Sequence, residues 1–148
     1  MDRDQLIGQR IKELRTMSFF LNLKLMCNSV ALYIKTGDDF WYGLTLFDGI
    51  LNIVKEDDEP SISFLSDIND EFAYPIDVIH DYQFDGRISD IKRYLWQGDE
   101  FECFGVYIEF ENGSGFNIIE DDNCLSIVTG ILEIDKSNYK LVSCFRYH

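Results

Sequence analysis

Histidine is nearly missing from this chain. Of 148 residues only two are histidine, His80 and the terminal His148. A zinc site of the H-E-x-x-H or two-Cys-two-His kind cannot be assembled from that supply at its usual spacings. A Cys–His pair using His80 is chemically conceivable, but a lone histidine between Ile79 and Asp81 reads as a structural residue. Paired cysteines are missing too. Cys27, Cys103, Cys124 and Cys144 are scattered and form no C-x-x-C. The expectation is buried, reduced thiols in a cytoplasmic protein.

Other absences remove further classes. There is no G-x-G-x-x-G and no P-loop, so nothing is built to cradle a nucleotide. Gly113-Ser114-Gly115 is not the G-x-S-x-G nucleophile elbow. No apolar run approaches the roughly 18 residues of a membrane span; the stretch 17–27 is interrupted by Asn22 and Lys24. Acids stand in Met1-Asp2-Arg3-Asp4 where a signal peptide carries bases, so no targeting segment is expected. Without repeats, low-complexity segments or a linker, 1–148 is expected to be a single domain.

Basic residues are scarce after the first quarter of the chain. Residues 1–36 hold six basic and three acidic residues, a balance of +3, whereas residues 37–148 hold seven and 24, a balance of −17. The net charge is −14. Such a chain repels nucleic acid and anionic membranes and attracts basic surfaces. Its acidity does not mean disorder, because 46% of the residues are hydrophobic and 15% aromatic, enough to fill a core.

The acids do not spell a metal loop. An EF-hand register from Asp81 gives Gln83, Asp85, Gly86 and Ser89 but places Lys92 where a bidentate Glu is required. Glu120-Asp121-Asp122-Asn123 reads as a solvated turn rather than a looser oxygen site. No cofactor, no metal and no catalytic constellation is expected, so the chain is read as a non-enzyme.

The expected fold class is α+β, a mostly antiparallel sheet built of hairpins, with an N-terminal helix and a short central helix. Leu6, Ile7, Ile11, Leu14 and Met17 recur at helical spacing over 3–17. Ser89 as a cap, Ile91 and Leu95 on one face and Gly98 as a stop predict a helix over 89–96. Four hairpins follow from register. The first turns at Asn28-Ser29 and pairs Leu25 with Leu32 and Leu23 with Ile34. The second turns at Asp48-Gly49, the strongest turn signal, and pairs Leu46 with Leu51 and Leu44 with Ile53. The third turns at Asn112-Gly113, pairing Ile108 with Phe116 and Val106 with Ile118. The fourth joins 124–134 to 139–147, with Leu132 opposite Leu141 and Glu133 opposite Lys140. A short strand is expected over 61–66. Residues 67–84 show no clean period, and Pro75 breaks any helix there.

Three acidic clusters stand out: Glu56, Asp57, Asp58 and Glu59; Asp99, Glu100 and Glu102; and Glu120, Asp121 and Asp122. Each alone is a soluble turn. Together they set a field that draws in a basic protein partner. Trp41, Tyr42, Tyr82, Tyr94, Trp96 and Tyr107 are expected mostly in the core, with some free to anchor an interface. In size, charge and aromatic content the chain resembles the immunity proteins of bacterial toxin systems. That resemblance implies a cytoplasmic, non-catalytic protein that occludes the active site of a basic, nuclease-type toxin. The competing reading is an intracellular adaptor or small-ligand-binding domain.

Overall fold

The computed structural model describes residues 3–130, 132 and 134–145. It is nearly all β: 57% strand and 7% helical, with no helix of seven residues or more. A 3-10 turn at Arg3–Leu6 leads into β1 (Ile11–Leu21), followed by β2 (Lys24–Thr36), β3 (Trp41–Phe47) and β4 (Ile50–Lys55). Two short strands, β5 (Phe72–Ala73) and β6 (Ile76–Val78), precede β7 (Ile88–Trp96), β8 (Cys103–Phe110), β9 (Gly115–Asp121), β10 (Cys124–Thr129) and β11 (Tyr139–Ser143). The first sheet runs β4-β3-β2-β1-β5, with β6 also on β1; the second runs β10-β9-β8-β7-β11. All pairings are antiparallel.

One apolar layer joins the two sheets. Leu14, Leu32, Ile34, Leu44 and Ile53 of the first meet Ile91, Val106, Ile108, Phe116 and Ile118 of the second in a single buried cluster. The chain is thus a β-sandwich, and the α+β expectation is corrected.

Both expected helices are strands, for one reason. Residues 11–21 form β1, and Ser89–Trp96 lies within β7. In each, neighbouring residues are buried on opposite faces: Leu14 with Arg15, and Tyr94 with Leu95. Bulges between Ile11 and Glu13 and between Ile88 and Asp90 shift the register further. With both faces covered, the period-2 signature vanishes and the remaining apolar residues mimic a helical stripe.

The second and third hairpins form in the expected registers: Leu46 pairs with Leu51, Leu44 with Ile53, Ile108 with Phe116 and Val106 with Ile118. The first turns instead at Asn22-Leu23, where both residues have positive φ, 48° and 66°. Leu25 therefore faces Phe20, and Leu32 faces Thr16. The fourth hairpin does not form as expected. β10 pairs with β9, while β11 crosses to β7, setting Leu141 opposite Tyr94 and Lys140 opposite Leu95. Glu133 lies outside the described residues. In 61–66 only Ser63 makes a bridge, to Ile76, and Leu65–Asp67 is a 3-10 turn.

The expected reduced thiols are corrected at two positions. Cys27 of β2 and Cys124 of β10 form a disulfide, with Cα atoms 5.8 Å apart, that fastens one sheet to the other. Cys103 and Cys144 remain free. The bond closes a loop of 97 residues. By chain entropy such a cross-link is worth about 4–5 kcal/mol. Replacing Cys27 and Cys124 with serine, or adding reductant, will lower the melting temperature by about 10 °C or more, read by calorimetry with and without dithiothreitol. An unchanged melt would remove the cross-link from the account of stability.

Candidate docking surface

The three acidic clusters do not gather in one place. Glu56, Asp57, Asp58 and Glu59 leave β4 and cross the outer face of the first sheet as a strap. Arg15, on that face, is nearly buried with its guanidinium over the Trp41 ring at 4.5 Å. Arg15 Nη2 donates to Glu59 at 2.6 Å, Nη1 to the Pro60 carbonyl at 2.6 Å, and Nε to Glu13 at 2.5 Å. Burial disfavours the charge on Arg15, but Glu13 and Glu59 more than offset it and hold the guanidinium above its usual pKa. Glu56 lies against Gly43, where a Cβ would collide with its carboxylate. Burial first, and Glu56 second, raise the Tyr33 hydroxyl above its ordinary value. Two of the four acids are therefore engaged with the protein itself, leaving Asp57 and Asp58 exposed to solvent.

Removing the Arg15 side chain takes away a buried hub with three acceptors and an aromatic face. Arg15→Met should cost about 2 kcal/mol. Glu59→Gln should cost well under about 1 kcal/mol, because the glutamate is more than half exposed. Urea melts of both variants decide the ranking; a larger loss for Glu59→Gln would show that the ion pair, not the packing of Arg15, holds the strap.

The other two clusters come together. β8 starts directly after Glu102, β9 ends at Asp121, and Ile119 lies opposite Gly105, so 99–102 and 120–122 share one end of the second sheet. The β3–β4 turn of the first sheet closes over the same end. Cys103 N donates to the Gly49 carbonyl at 2.9 Å, and Gly49 sits against Glu102. A two-residue turn with positive φ at both positions makes this possible at Asp48-Gly49 (52° and 78°) and again at Asp122-Asn123 (53° and 64°). The disulfide brings the β9–β10 turn to β2. Four turns, β1–β2, β3–β4, β7–β8 and β9–β10, thus crowd one end of the sandwich.

Sequence reasoning missed two kinds of residue here. Asp48 adds a further exposed carboxylate. Phe101 is 83% exposed, Phe47 65% and Ile50 61%, an unusual degree for large apolar side chains in neighbouring turns. Phe47 and Ile50 flank the Asp48-Gly49 turn and Phe101 sits inside the acidic cluster, so position relative to the turns was the available signal. Among the nominated aromatics, Trp41, Tyr42 and Tyr94 are buried, and Trp96, 41% exposed, stacks on Phe104 at 4.2 Å at this same end.

Some acids at this end serve their own turns. Asp99 Oδ1 accepts the N–H groups of Phe101 at 2.9 Å and Glu102 at 3.0 Å; those bonds, with Lys140 adding, hold its carboxyl below the usual aspartate range. Glu120 accepts the Asn123 N–H at 2.8 Å. A depressed carboxyl stabilises the fold above the ordinary aspartate pKa, and that contribution is lost as pH falls through the folded-state value. The 99–102 turn should therefore loosen on acidification, with the Phe101 and Glu102 amide shifts moving together and following one midpoint below the ordinary aspartate value. Asp99→Asn should abolish that titration; amide shifts that still follow the same curve would assign the turn to another group.

The remaining chemistry is sparse. Cys103 is pushed up to about 11 by burial, and Cys144 is raised by burial too, so both are protonated thiols at neutral pH and weak nucleophiles. His80 is exposed at the rim of a cleft of about 500 Å³ beside Lys12, Glu13 and Tyr82. A second cleft, about 510 Å³, is lined by Arg93, Leu95, Glu100, Lys140 and Val142. Among the described residues, no group of three or more His, Cys, Asp or Glu side chains is placed to hold a metal ion, and no helix is long and apolar enough to cross a membrane. No family model, curated protein or solved structure matches the chain.

Proposed function

We propose that this chain is a non-catalytic binding protein whose turn end docks a basic protein partner, acting as an immunity protein acts on a nuclease-type toxin. The observation that carries the reading is the convergence of Asp48, Glu100, Glu102, Asp121 and Asp122 around exposed Phe47, Ile50 and Phe101. A nuclease presents Lys and Arg to hold phosphate. Carboxylates set in a rigid arc stand in for that phosphate row, and the apolar side chains between them supply contact area that water does not compete for. Steering by the −14 net charge accelerates encounter. The strap cluster, tied to Arg15, takes no direct part.

The Cys27–Cys124 bond favours an oxidising compartment over the cytoplasm, since disulfides persist where thiols are not kept reduced. One feature speaks for the rival small-ligand reading. Arg93 and Lys140 line one cleft, and the Nε of Arg93 is buried with no hydrogen-bond partner among the described residues.

The test is charge reversal by place. The partner is captured from the native cell, purified and titrated against variants at low and high salt. Reversing Glu100, Glu102, Asp121 and Asp122 together should slow association by about tenfold or more and flatten its salt dependence. Reversing Asp57 and Asp58 should leave both nearly unchanged. If the turn-end reversal changes neither rate nor salt dependence, the acids serve solubility alone and the adaptor reading replaces this one.

A further inference from the structure

The β1–β2 hairpin runs past the sandwich. Its strands hold 11 and 13 residues against seven in β3, and β3 pairs with β2 only at Leu32 and beyond. The tip at Asn22-Leu23 therefore projects beyond the β3–β4 turn, on the end that carries the acids. It presents apolar side chains together with exposed Asn22 and Lys24. Leu23 is 74% exposed, and Leu25, Met26 and the neighbouring Phe72 of β5 are about half exposed.

Leu23 is also the wrong residue for its backbone. At φ 66° its Cβ crowds the following carbonyl, a cost that glycine does not carry and asparagine bears better. Local conformation and solvation both disfavour leucine there. Within the chain it stays 74% exposed, so burial does not offset that cost.

The surroundings suit one kind of contact outside the chain. A groove of about 370 Å³ beside the tip is lined by Leu23 and Ile68 together with Asn22, Asn69, Asp70 and Glu71. The Asn22 N–H is held by the Glu71 carbonyl at 2.8 Å, so tip and loop form one wall. Two apolar side chains, Leu23 and Ile68, beside two carboxylates, Asp70 and Glu71, complement a long aliphatic stem that ends in a cation. A second copy of this chain, also at −14, is repelled, as is an anionic lipid surface. We infer that the Leu23 tip is the apolar anchor of the docking surface: an arginine or lysine stem of the basic partner seats between Leu23 and Ile68, its charge toward Asp70 and Glu71. The inference rests on the docking reading above.

Synthetic peptides test it before any partner has been identified. Three fluorescein-labelled decapeptides, alternating Arg with Leu, Arg with Ser, and Glu with Leu, are titrated against the intact protein by anisotropy. The Arg/Leu peptide should bind most tightly and the Glu/Leu peptide least. Leu23→Gly and Leu23→Asn should each weaken the Arg/Leu peptide by about tenfold or more, while their melting temperatures stay unchanged or rise, because both residues suit positive φ. Unchanged affinity in both variants, or equal binding of the Glu/Leu peptide, would overturn the anchor. The reversal of Glu100, Glu102, Asp121 and Asp122 is run on the same peptides. Loss there with no effect at Leu23 rejects the anchor and keeps the docking reading; loss at Leu23 with no effect of the reversal rejects the turn end and keeps the groove.

Discussion

The apolar layer between the two sheets is the constraint from which the rest follows. Leu32, Ile34, Leu44 and Ile53 meet Val106, Ile108, Phe116 and Ile118, all at or near zero exposure. Each fully buried aliphatic or aromatic side chain contributes roughly 1.5–3 kcal/mol relative to exposure, so this layer outweighs every polar contact in the molecule. It also uses up the inner faces. The outer faces are covered as well: the first sheet by the strap over Arg15 and Trp41, the second by Tyr94, Phe104 and Tyr139 with Tyr107 and Ile119. Asn117, buried on that outer side, accepts from the Tyr94 hydroxyl and donates to the carbonyls of Val128 and Gly130 at 3.1 and 3.2 Å. The cover is partial, with Asn52 and Val54 of the first sheet and Leu141 of the second exposed on those faces, and the turns stand clear of it at the ends of the sandwich.

Charge count alone misjudges those ends. Glu13 and Glu59 neutralise Arg15, Asp99 and Glu120 hold their own turns, and Asp39 takes Lys12 at 2.7 Å. An acid that accepts two or three internal hydrogen bonds is already satisfied and loses them if it turns to a partner. Among the described residues at the turn end, Asp48, Glu100, Glu102, Asp121 and Asp122 make no hydrogen bond or ion pair through their carboxylates, and on the docking reading proposed above these are the acids free to meet a partner. Position and satisfaction, rather than number, decide which acids form a surface.

The same logic explains what the sequence showed. The Asp48-Gly49 and Asn112-Gly113 turns were legible because glycine at positive φ is a local signal, and the registers they set are local too. The Asn22-Leu23 turn was not legible, because leucine at positive φ contradicts the local rule. β1 and β7 read as helices because burial on both faces erased alternation, and only the tertiary cover over Arg15 and Tyr94 explains that burial. The acidic clusters could be found from composition. That 99–102 and 120–122 converge follows from the β8–β9 hairpin, whose register the Asn112-Gly113 turn already carried; that the β3–β4 turn joins them depends on the packing of one sheet on the other and on a disulfide 97 residues apart in sequence, which no short window contains.

The turn end is built against its own electrostatics. Two like charges 4 Å apart repel by about 1 kcal/mol even in water, and by more where neighbouring protein excludes solvent. Asp48, Glu102, Asp121 and Asp122 stand on turns from both sheets at that end, so their like charges oppose its closing. The Cys27–Cys124 bond ties β2 to β10 at the same end, and the Cys103 N–H to the Gly49 carbonyl ties β8 to the β3–β4 turn beside it. On the docking reading proposed above, acids already placed by these ties have part of the ordering cost met before binding, and a basic partner would relieve their repulsion. Anything that binds the folded form alone also stabilises it in proportion to its concentration over its dissociation constant. The covalent tie and the acids are thus opposed in the free protein, the bond holding an arrangement that the like charges themselves disfavour.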